Sequence, residues 1–392
     1  MLEMDAIDRK LLDAIQAGIP LVERPYRAIG ESLGLAEDDI LERIARLKAE
    51  GFVRNIGAIF DTSRLGYQSS LVGFRLREEC VDEAAALINA HPGVSHNYLR
   101  RYTLPDTFGV NACCPYNVWF TLAVSPESRL GLESSVAVLA RDTGAEAARL
   151  FPALRVFKIG VRLDMDTDAA GVRKEEGHFF TGNGHSERGL DPDERRIVRV
   201  LQDDLPLVEE PFREAARQCG LGVEAMLVCA QELLQRHIMR RFAAILHHRK
   251  AGYTGNVMAA WSVPEEKVEA VGHQMAQFRA VSHCYQRPTF PDWPFSLFTM
   301  VHQKSRDACE ETVAAISRET GIEHYAMLWT VREFKKVRLR YFTGEDTAWE
   351  EKAATRIPPE AHLRSSDQGW AEMLKPKNES HPARPSCQQA IL

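Results

Sequence analysis

The chain has 392 residues, of which 45% are hydrophobic and 27% charged, enough apolar material for two or more domains with their own cores. Its formal net charge of -6 argues against a protein whose main role is to coat nucleic acid, because phosphate binding requires an excess of basic residues. No run of residues reaches the length of a membrane-spanning helix, and the charged, amphipathic start is unlike a signal peptide, so we expect a cytoplasmic protein that does not bind membranes.

Residues 1–62 contain three predicted helices and a strand. Apolar residues recur every three or four positions over 7–15, and two further stripes of this kind stop at Gly34 and at Gly51. Residues 52–59 then read as a strand. Three helices that end in a short strand hairpin are typical of a winged helix-turn-helix.

Residues 63–164 alternate between the periods of strands and helices. Strands are predicted at 68–76, 94–102, 118–124 and 154–163, and helices at 81–89 and 132–143. The order strand-helix-strand-strand-helix-strand is that of the ferredoxin-like fold. Residues 165–192 lose this periodicity and gain glycine and charge, which predicts a linker.

The second half of the sequence repeats the first. The motif PLVE at residues 20–23 recurs at 206–209, 186 positions later, and with one further residue His96 aligns with His283. This internal repeat predicts a tandem duplication of an α+β unit. Two fused copies imply an internal pseudo-dimer, and a further homodimer of the chain stays an open alternative.

The second copy is predicted to repeat both domains of the first. Its winged helix-turn-helix covers residues 193–248, and its ferredoxin-like domain covers residues 249–343. Residues 344–392 form a polar, proline-dotted tail, which we expect to be loose or wrapped over the surface.

The two copies have also diverged. The first carries an insertion at 104–116, and the second has His248 and His302 where the first has Thr62 and Val124. This asymmetry predicts one specialised site rather than two equal ones.

The stretch from Val281 to His302 packs histidine, arginine and aromatic residues into a predicted strand, loop and strand, and a related stretch begins at Val94. These stretches and the segment before the second ferredoxin-like domain supply the candidate site residues. They are the histidines His96, His248, His283 and His302, the cations Arg100, Arg101, Arg249, Lys250 and Arg287, and the aromatic residues Tyr98, Trp119, Tyr285, Trp293 and Phe295.

The eight cysteines show no C-x-x-C pair and no zinc-finger spacing. The adjacent Cys113 and Cys114 lack further ligands, so we expect no metal site formed by the protein alone.

These residues resemble a known family. A winged helix followed by a ferredoxin-like domain resembles the Lrp/AsnC-type regulators, and LERIARLKAEGFV at residues 41–53 is similar to their helix-to-wing pattern. HNYLR and YNVWFTL in the first half, with LHHRKAGYTGN, VSHCYQRP, DWPF and LFTMVH in the second, more specifically resemble the siroheme decarboxylases. That resemblance covers nearly the whole chain before the tail. One departure is that the insertion ending in Cys113-Cys114-Pro115 replaces the histidine expected shortly before Tyr116.

The resemblance implies that two acetate side chains of siroheme lose carbon dioxide, which gives 12,18-didecarboxysiroheme for d1-type heme or, by the alternative route, for protoheme. The substrate carries its own iron, and its conjugated ring delocalises the electrons left by carbon dioxide, so no cofactor is required. Arginine suits its carboxylates, because the planar guanidinium pairs with them bidentately and keeps its charge. We therefore expect the five cations to hold the carboxylates and the five aromatic residues to form the walls.

A histidine that titrates near neutrality is the natural acid for protonating the side-chain carbon. His283 and His248 are the first choices, with His96 and His302 next, and a neutral imidazole is an alternative ligand for the substrate iron. Structural roles stay open as well, since the sequence alone favours pairing of Arg100 and Arg287 with Glu or Asp on a solvated face, and Trp293 would serve as core.

A DNA-binding regulator that senses heme or an amino acid is the alternative function. It would need a basic recognition helix. Acidic and basic residues alternate at 38–43, and residues 223–234 have no basic residue. We therefore interpret the helix-turn-helix units as scaffold and do not expect nucleic acid as a partner.

Overall fold

The computed structural model describes residues 4–103, 115–160, 189–246 and 254–355. Three predicted site residues, His248, Arg249 and Lys250, lie outside the described residues, as do Cys113 and Cys114. The chain is an α+β protein built from two copies of the same unit, as the sequence predicts.

The helices are α1 (Ala6–Ala17), α2 (Pro25–Leu33), α3 (Glu37–Ala49), α4 (Val81–Asn89), α5 (Gly131–Thr143), α6 (Pro192–Leu201), α7 (Phe212–Cys219), α8 (Val223–Gln235), α9 (Val268–Gln277), α10 (Arg306–Thr320) and α11 (Glu345–Thr355). The strands are β1 (Val53–Phe60), β2 (Gln68–Arg75), β3 (Val94–Thr103), β4 (Val118–Val124), β5 (Ala147–Phe151), β6 (Arg155–Ile159), β7 (Met239–Leu246), β8 (Gly255–Trp261), β9 (Val281–Gln286), β10 (Leu297–Gln303) and β11 (Tyr325–Lys336). No helix in these ranges combines the length and the apolar composition needed to cross a bilayer.

The two helix-turn-helix units pack together. Asp5 and Asp191 begin α1 and α6 with equivalent capping boxes, which satisfy the first free N–H groups of each helix. The apolar faces of α1–α3 and α6–α8 then form one shared core. Tyr26 bridges the two units, since its hydroxyl donates to the Pro206 carbonyl at 3.0 Å.

The wing strands pair with each other across the two copies. β1 and β7 run antiparallel with Gly57 opposite Ala243, and these residues are equivalent positions of the repeat, 186 apart. The pseudo-twofold axis of the duplication therefore passes between them. The prediction of a strand hairpin within each unit is wrong, because the other copy supplies the partner that satisfies the open backbone groups of each wing strand.

Each half contributes a four-stranded ferredoxin-like sheet to one continuous nine-stranded sheet. The strand order is β5-β2-β4-β3 in the first half and β11-β8-β10-β9 in the second, and β6 lies at the edge beside β9. Helices α4 and α5, and α9 and α10, cover the outer faces with two separate apolar cores. The inner faces pack against each other through a third, aromatic cluster, in which the rings of Trp119 and Trp293 lie 5.1 Å apart. The two sheets therefore enclose one interior.

The last strand of each half extends into the sheet of the other half. β11 pairs with β8 of its own half and also with β3, while β5 pairs with β2 and β6 with β9. The prediction of a single strand at 154–163 was incomplete, because the structure has a further strand, β5, before this segment. β5 forms the edge of the first sheet beside β2. Pro152 lies between β5 and β6, where a residue without an N–H cannot donate to a ladder.

The tail is ordered as a helix at its start. In α11, Trp349 and Ala353 join the outer core of the first half. The Glu350 carboxylate accepts from the backbone N–H groups of Arg129 at 3.1 Å and Leu130 at 3.3 Å, at the N-terminus of α5. A buried anion at a helix N-terminus is stabilised by the exposed N–H groups. Residues 345–355 therefore agree with the prediction of a tail wrapped over the surface and not with that of a loose tail.

Candidate active site

Strand β3 presents a histidine, a tyrosine and an arginine to the interior. His96, Tyr98 and Arg100 alternate along the strand and share the inner face. Arg101 lies on the opposite face, where it is exposed and pairs with Glu78 at 3.2 Å. The prediction that Arg101 binds substrate is therefore corrected, because neighbouring residues of a strand point to opposite faces.

Strand β9 presents the same three residue types. His283, Tyr285 and Arg287 share the inner face of the second half, while Val281 and Cys284 belong to its outer core. The structure thus brings together two sets of predicted site residues that the pseudo-twofold axis relates. Both sets face the interior that the two sheets enclose.

The two arginines make equivalent contacts across the halves. Arg100 Nη1 donates to the Leu328 carbonyl at 3.1 Å, and Arg287 Nη1 donates to the Phe151 carbonyl. The guanidinium of Arg100 lies 5.0 Å from the ring centre of Tyr98, and that of Arg287 lies 4.8 Å from the ring centre of Tyr285. Each arginine therefore stacks on the tyrosine two residues before it and connects its strand to a strand that belongs to the other half of the chain.

Neither arginine has an acidic partner within the described ranges. Burial lowers the pKa of Arg100 and that of Arg287 to about 10, and the neighbouring tyrosine of each opposes the shift. A buried cation without a counter-ion is costly to keep in a fold. The alternative prediction, in which these arginines pair with acidic residues on a solvated face, is therefore wrong.

Each histidine is held by the serine that precedes it. Ser282 Oγ donates to the Met300 carbonyl at 3.2 Å, so it accepts from His283 Nδ1 at 2.8 Å. This network assigns the hydrogen of the neutral ring to Nδ1 and leaves a lone pair on Nε2. His96 Nδ1 lies 2.9 Å from Ser95 Oγ in the same way. Nε2 is therefore the ring nitrogen available for proton transfer or iron ligation.

Both histidines are neutral in the ligand-free protein. Burial lowers the pKa of His283 to about 4, because an imidazolium there would lose its solvation and would also be repelled by a charged His96 and by Arg240. Burial, and then the positive charges of Lys336 and Arg54, lower the pKa of His96 to about 4. The expectation of a histidine that titrates near neutrality is wrong for the free site, because burial removes the water that would solvate an imidazolium.

The predicted aromatic walls divide into two groups. Tyr98 and Tyr285 are half-buried beside the histidines and arginines. Trp119, Trp293 and Phe295 are fully or almost fully buried in the aromatic cluster, where the rings of Trp293 and Phe295 lie 5.0 Å apart. The structure thus places these three in the core between the sheets, which was the open alternative for Trp293, and leaves the two tyrosines as the wall candidates.

His302 lies on the inner face of β10, at the end of the strand. Its N–H donates to the Ala280 carbonyl at 2.9 Å, and the equivalent bond in the first half runs from Ala123 to Gly93 at 3.0 Å. The residue equivalent to His302 is therefore Ala123, and the alignment with Val124 is corrected by one position. Equivalent positions of the two copies are therefore assigned from the pairing of residues on neighbouring strands, and not from local similarity of the sequence.

Two functional candidates were missed in the sequence. Arg54 of β1 and Arg240 of β7 place positive charge near His96 and His283, respectively. They occupy equivalent positions of the repeat, 186 apart. The repeat could have revealed them, because both copies have an arginine at the same position of the strand that precedes the ferredoxin-like domain.

The surroundings of the two histidines differ in charge. Lys336 lies opposite His96 in the ladder, and Ile159 lies opposite His283. In the second set, Arg240 forms a 2.7 Å ion pair with the buried carboxylate of Asp61. Asp61 therefore compensates part of the positive charge around His283.

The recognition helix of the first unit holds its arginines in ion pairs. Arg43 and Arg46 of α3 each contact the Asp8 carboxylate at 2.7 Å, and Asp8 is only 1% exposed. Guanidinium groups that neutralise a buried carboxylate are not available for base edges or phosphates. Together with the lack of basic residues in α8, this arrangement gives the DNA-binding alternative no support.

Known proteins match both kinds of domain. The profile described as AsnC-like ligand binding domain matches residues 64–158 and 250–335. The profile described as Siroheme decarboxylase NirDL-like HTH domain matches residues 8–54 and 194–240. Both profiles occur twice, as the duplication requires.

Relatives match the whole fused chain or one half of it. A siroheme decarboxylase of Hydrogenobacter thermophilus is 38% identical over 340 residues, which are 87% of this chain and 96% of the relative. The siroheme decarboxylase beta subunit of Methanosarcina barkeri is 40% identical over 151 residues, 38% of this chain and 99% of that subunit. A crystal structure of the siroheme decarboxylase NirDL in co-complex with an iron-uroporphyrin III analogue superposes with a TM-score of 0.69 at 33% identity and covers 90% of this chain and 100% of that chain. This chain belongs to the siroheme decarboxylase family and is a fused pseudo-dimer with carboxy-lyase activity.

Proposed function

We propose that this chain removes carbon dioxide from two acetate side chains of siroheme and releases 12,18-didecarboxysiroheme, for d1-type heme or for protoheme by the alternative route. The observation that carries the proposal is the pair of buried arginines, Arg100 and Arg287, which have no acidic partner in the part of the chain that the structure describes. A ring with eight carboxylates supplies that missing charge. The names of the relatives support the same substrate.

The histidines supply the proton. Loss of carbon dioxide breaks the bond between the carboxyl carbon and the methylene carbon, and the electron pair stays on the methylene carbon. The conjugated ring delocalises this pair, so the step needs no added cofactor. A proton from Nε2 of an imidazolium, His96 or His283, then completes the methyl group and leaves a neutral imidazole. Each decarboxylation consumes one proton, which solvent returns to the histidine.

Substrate binding charges the histidine that transfers the proton. The free site holds both imidazoles neutral. A substrate carboxylate bound beside Arg100 or Arg287 brings negative charge next to the ring and raises its pKa toward neutrality. The lone pair on Nε2 of the other histidine is then free to ligate the substrate iron. Two related histidines can therefore take two different roles.

The test is anaerobic incubation of the purified chain with siroheme, with the mass of the product followed over time. We expect two successive losses of carbon dioxide from the parent. The variants His96→Gln and His283→Gln keep a hydrogen-bonding side chain, and at least one of them should bind siroheme but release no carbon dioxide. The exposed His324 provides the matched control, since His324→Gln should match the parent. A parent that binds siroheme tightly and leaves its mass unchanged would refute the proposal.

A further inference from the structure

Four neighbouring strands carry polar side chains in one row across the inner face. β10, β8, β11 and β3 contribute His302, Asn256, Thr330 and Arg100, in that order. The ladders place His302 opposite Asn256 and Thr330 opposite Arg100, and the register of β8 with β11 brings Asn256 beside Thr330. With neighbouring strands about 4.8 Å apart, the row spans about 14 Å, which is comparable with the width of a tetrapyrrole ring.

Three atoms of this row are buried without a hydrogen-bond partner in the described part of the chain. They are Asn256 Oδ1, Thr330 Oγ1 and Arg100 Nε. Buried polar atoms are nearly always paired in folded proteins, so three unpaired atoms at adjacent positions indicate a ligand. A hydroxyl and a guanidinium both donate hydrogen bonds, and an asparagine amide does so when its NH2 group is turned inward. A carboxylate is the ligand that accepts from all three.

The equivalent row of the other half keeps the arginine but lacks the other donors. Arg287 takes the place of Arg100, and its Nε is likewise unpaired in the described part of the chain. Ala123 takes the place of His302, and its ladder partner Ser69 takes the place of Asn256. The two halves therefore differ in the number of donors that they offer to a carboxylate.

We infer that Asn256 and Thr330, together with Arg100, form a carboxylate-binding subsite for one side chain of the tetrapyrrole, and that the chain contains this subsite once. The inference rests on the proposed function and deepens it, because it names the residues that orient the ring. The subsite combines Arg100 of the first half with Asn256 and Thr330 of the second.

Siroheme affinity, measured anaerobically by absorbance titration of the full chain, tests the subsite. Thr330→Val keeps the shape of the side chain but removes the hydroxyl, and we expect about a tenfold loss of affinity. Asn256→Asp places a second carboxylate beside that of the substrate, and Asn256→Leu removes the amide without adding charge. We expect the loss in Asn256→Asp to exceed the loss in Asn256→Leu by at least about tenfold, because only the aspartate repels the substrate.

The matched control adds the same charge to the other half. Ser69→Asp should leave siroheme affinity unchanged, and an equal loss in Ser69→Asp and Asn256→Asp would overturn the claim that the subsite occurs once. Parent-like affinity in Thr330→Val, or equal losses in Asn256→Asp and Asn256→Leu, would overturn the subsite itself. These outcomes concern binding alone, so they are distinct from a parent chain that binds siroheme and releases no carbon dioxide, which would refute the proposed function.

Discussion

Replacing Arg100 by methionine separates a substrate-binding arginine from a structural one. Burial lowers the pKa of Arg100 from its ordinary range above 12 to about 10, which corresponds to about 3 kcal/mol of unfavourable free energy for the buried cation. The cation destabilises the folded state below pH 10, and this effect fades as the pH rises through 10 and the folded protein loses the proton. Methionine removes the charge and keeps most of the apolar volume.

The favourable contacts of Arg100 offset part of this gain. The hydrogen bond to the Leu328 carbonyl and the stacking on Tyr98 each contribute about 1 kcal/mol. Arg100→Met should therefore stabilise the ligand-free protein by about 1 kcal/mol, a rise of about 1–2 °C in the melting temperature of a chain of this size. Siroheme should raise the melting temperature of the parent but not that of the variant.

The control is Arg240→Met, which breaks a buried ion pair. Asp61 would then be left as an uncompensated buried carboxylate, and we expect a loss of about 3–5 kcal/mol. Both variants are compared with the parent by thermal unfolding at neutral pH, with and without siroheme. If Arg100→Met lowered the melting temperature as far as Arg240→Met, the interpretation of Arg100 as a buried cation without an acidic partner would be refuted.

Three further predictions concern acid sensitivity, the tail and the helix-turn-helix. Because the folded pKa of His283 is about 4, the unfolded chain binds more protons as the pH falls from about 6.5, so His283→Gln should lose less thermal stability than the parent between pH 7 and pH 5. Glu350→Ala should lower the free energy of unfolding by about 1–3 kcal/mol in urea titrations, whereas the exposed Glu351→Ala should change it by less than about 0.5 kcal/mol; equal effects would contradict the capping role of α11. The double variant Arg43→Ala/Arg46→Ala should lose about 3–5 kcal/mol, because it leaves a buried aspartate unpaired, while retention of labelled DNA in gel shifts stays at background in parent and variant alike.

Most of the helices and strands could be predicted from the local periodicity of the sequence. The period of two is a property of neighbouring residues, so the strands that hold His96 and His283 were predicted from the sequence, and the repeat showed that they are equivalent. The same period excludes Arg101 from the face of Arg100, so that error was avoidable.

Pairing between distant strands was not predictable. Only one strand, at 154–163, was predicted where the structure has two, and β5 was missed, because nothing local shows that β5 and β6 join the sheets of different halves. The row that contains Asn256 and Thr330 was missed for the same reason, since its members become neighbours only through the register of strands far apart in the chain.

Because strands are exchanged between the two copies, their fusion in one chain determines which side chains meet in the row. The row has Arg100 from the first copy beside Thr330, Asn256 and His302 from the second. A symmetric pair of first copies would lack the second-copy side chains, whereas a symmetric pair of second copies, with Arg287 in the place of Arg100, would form the row twice. A covalent link raises the effective concentration of the unlike partner far above that of any like partner. Every chain therefore assembles the unlike pair, and every folded molecule carries one complete row.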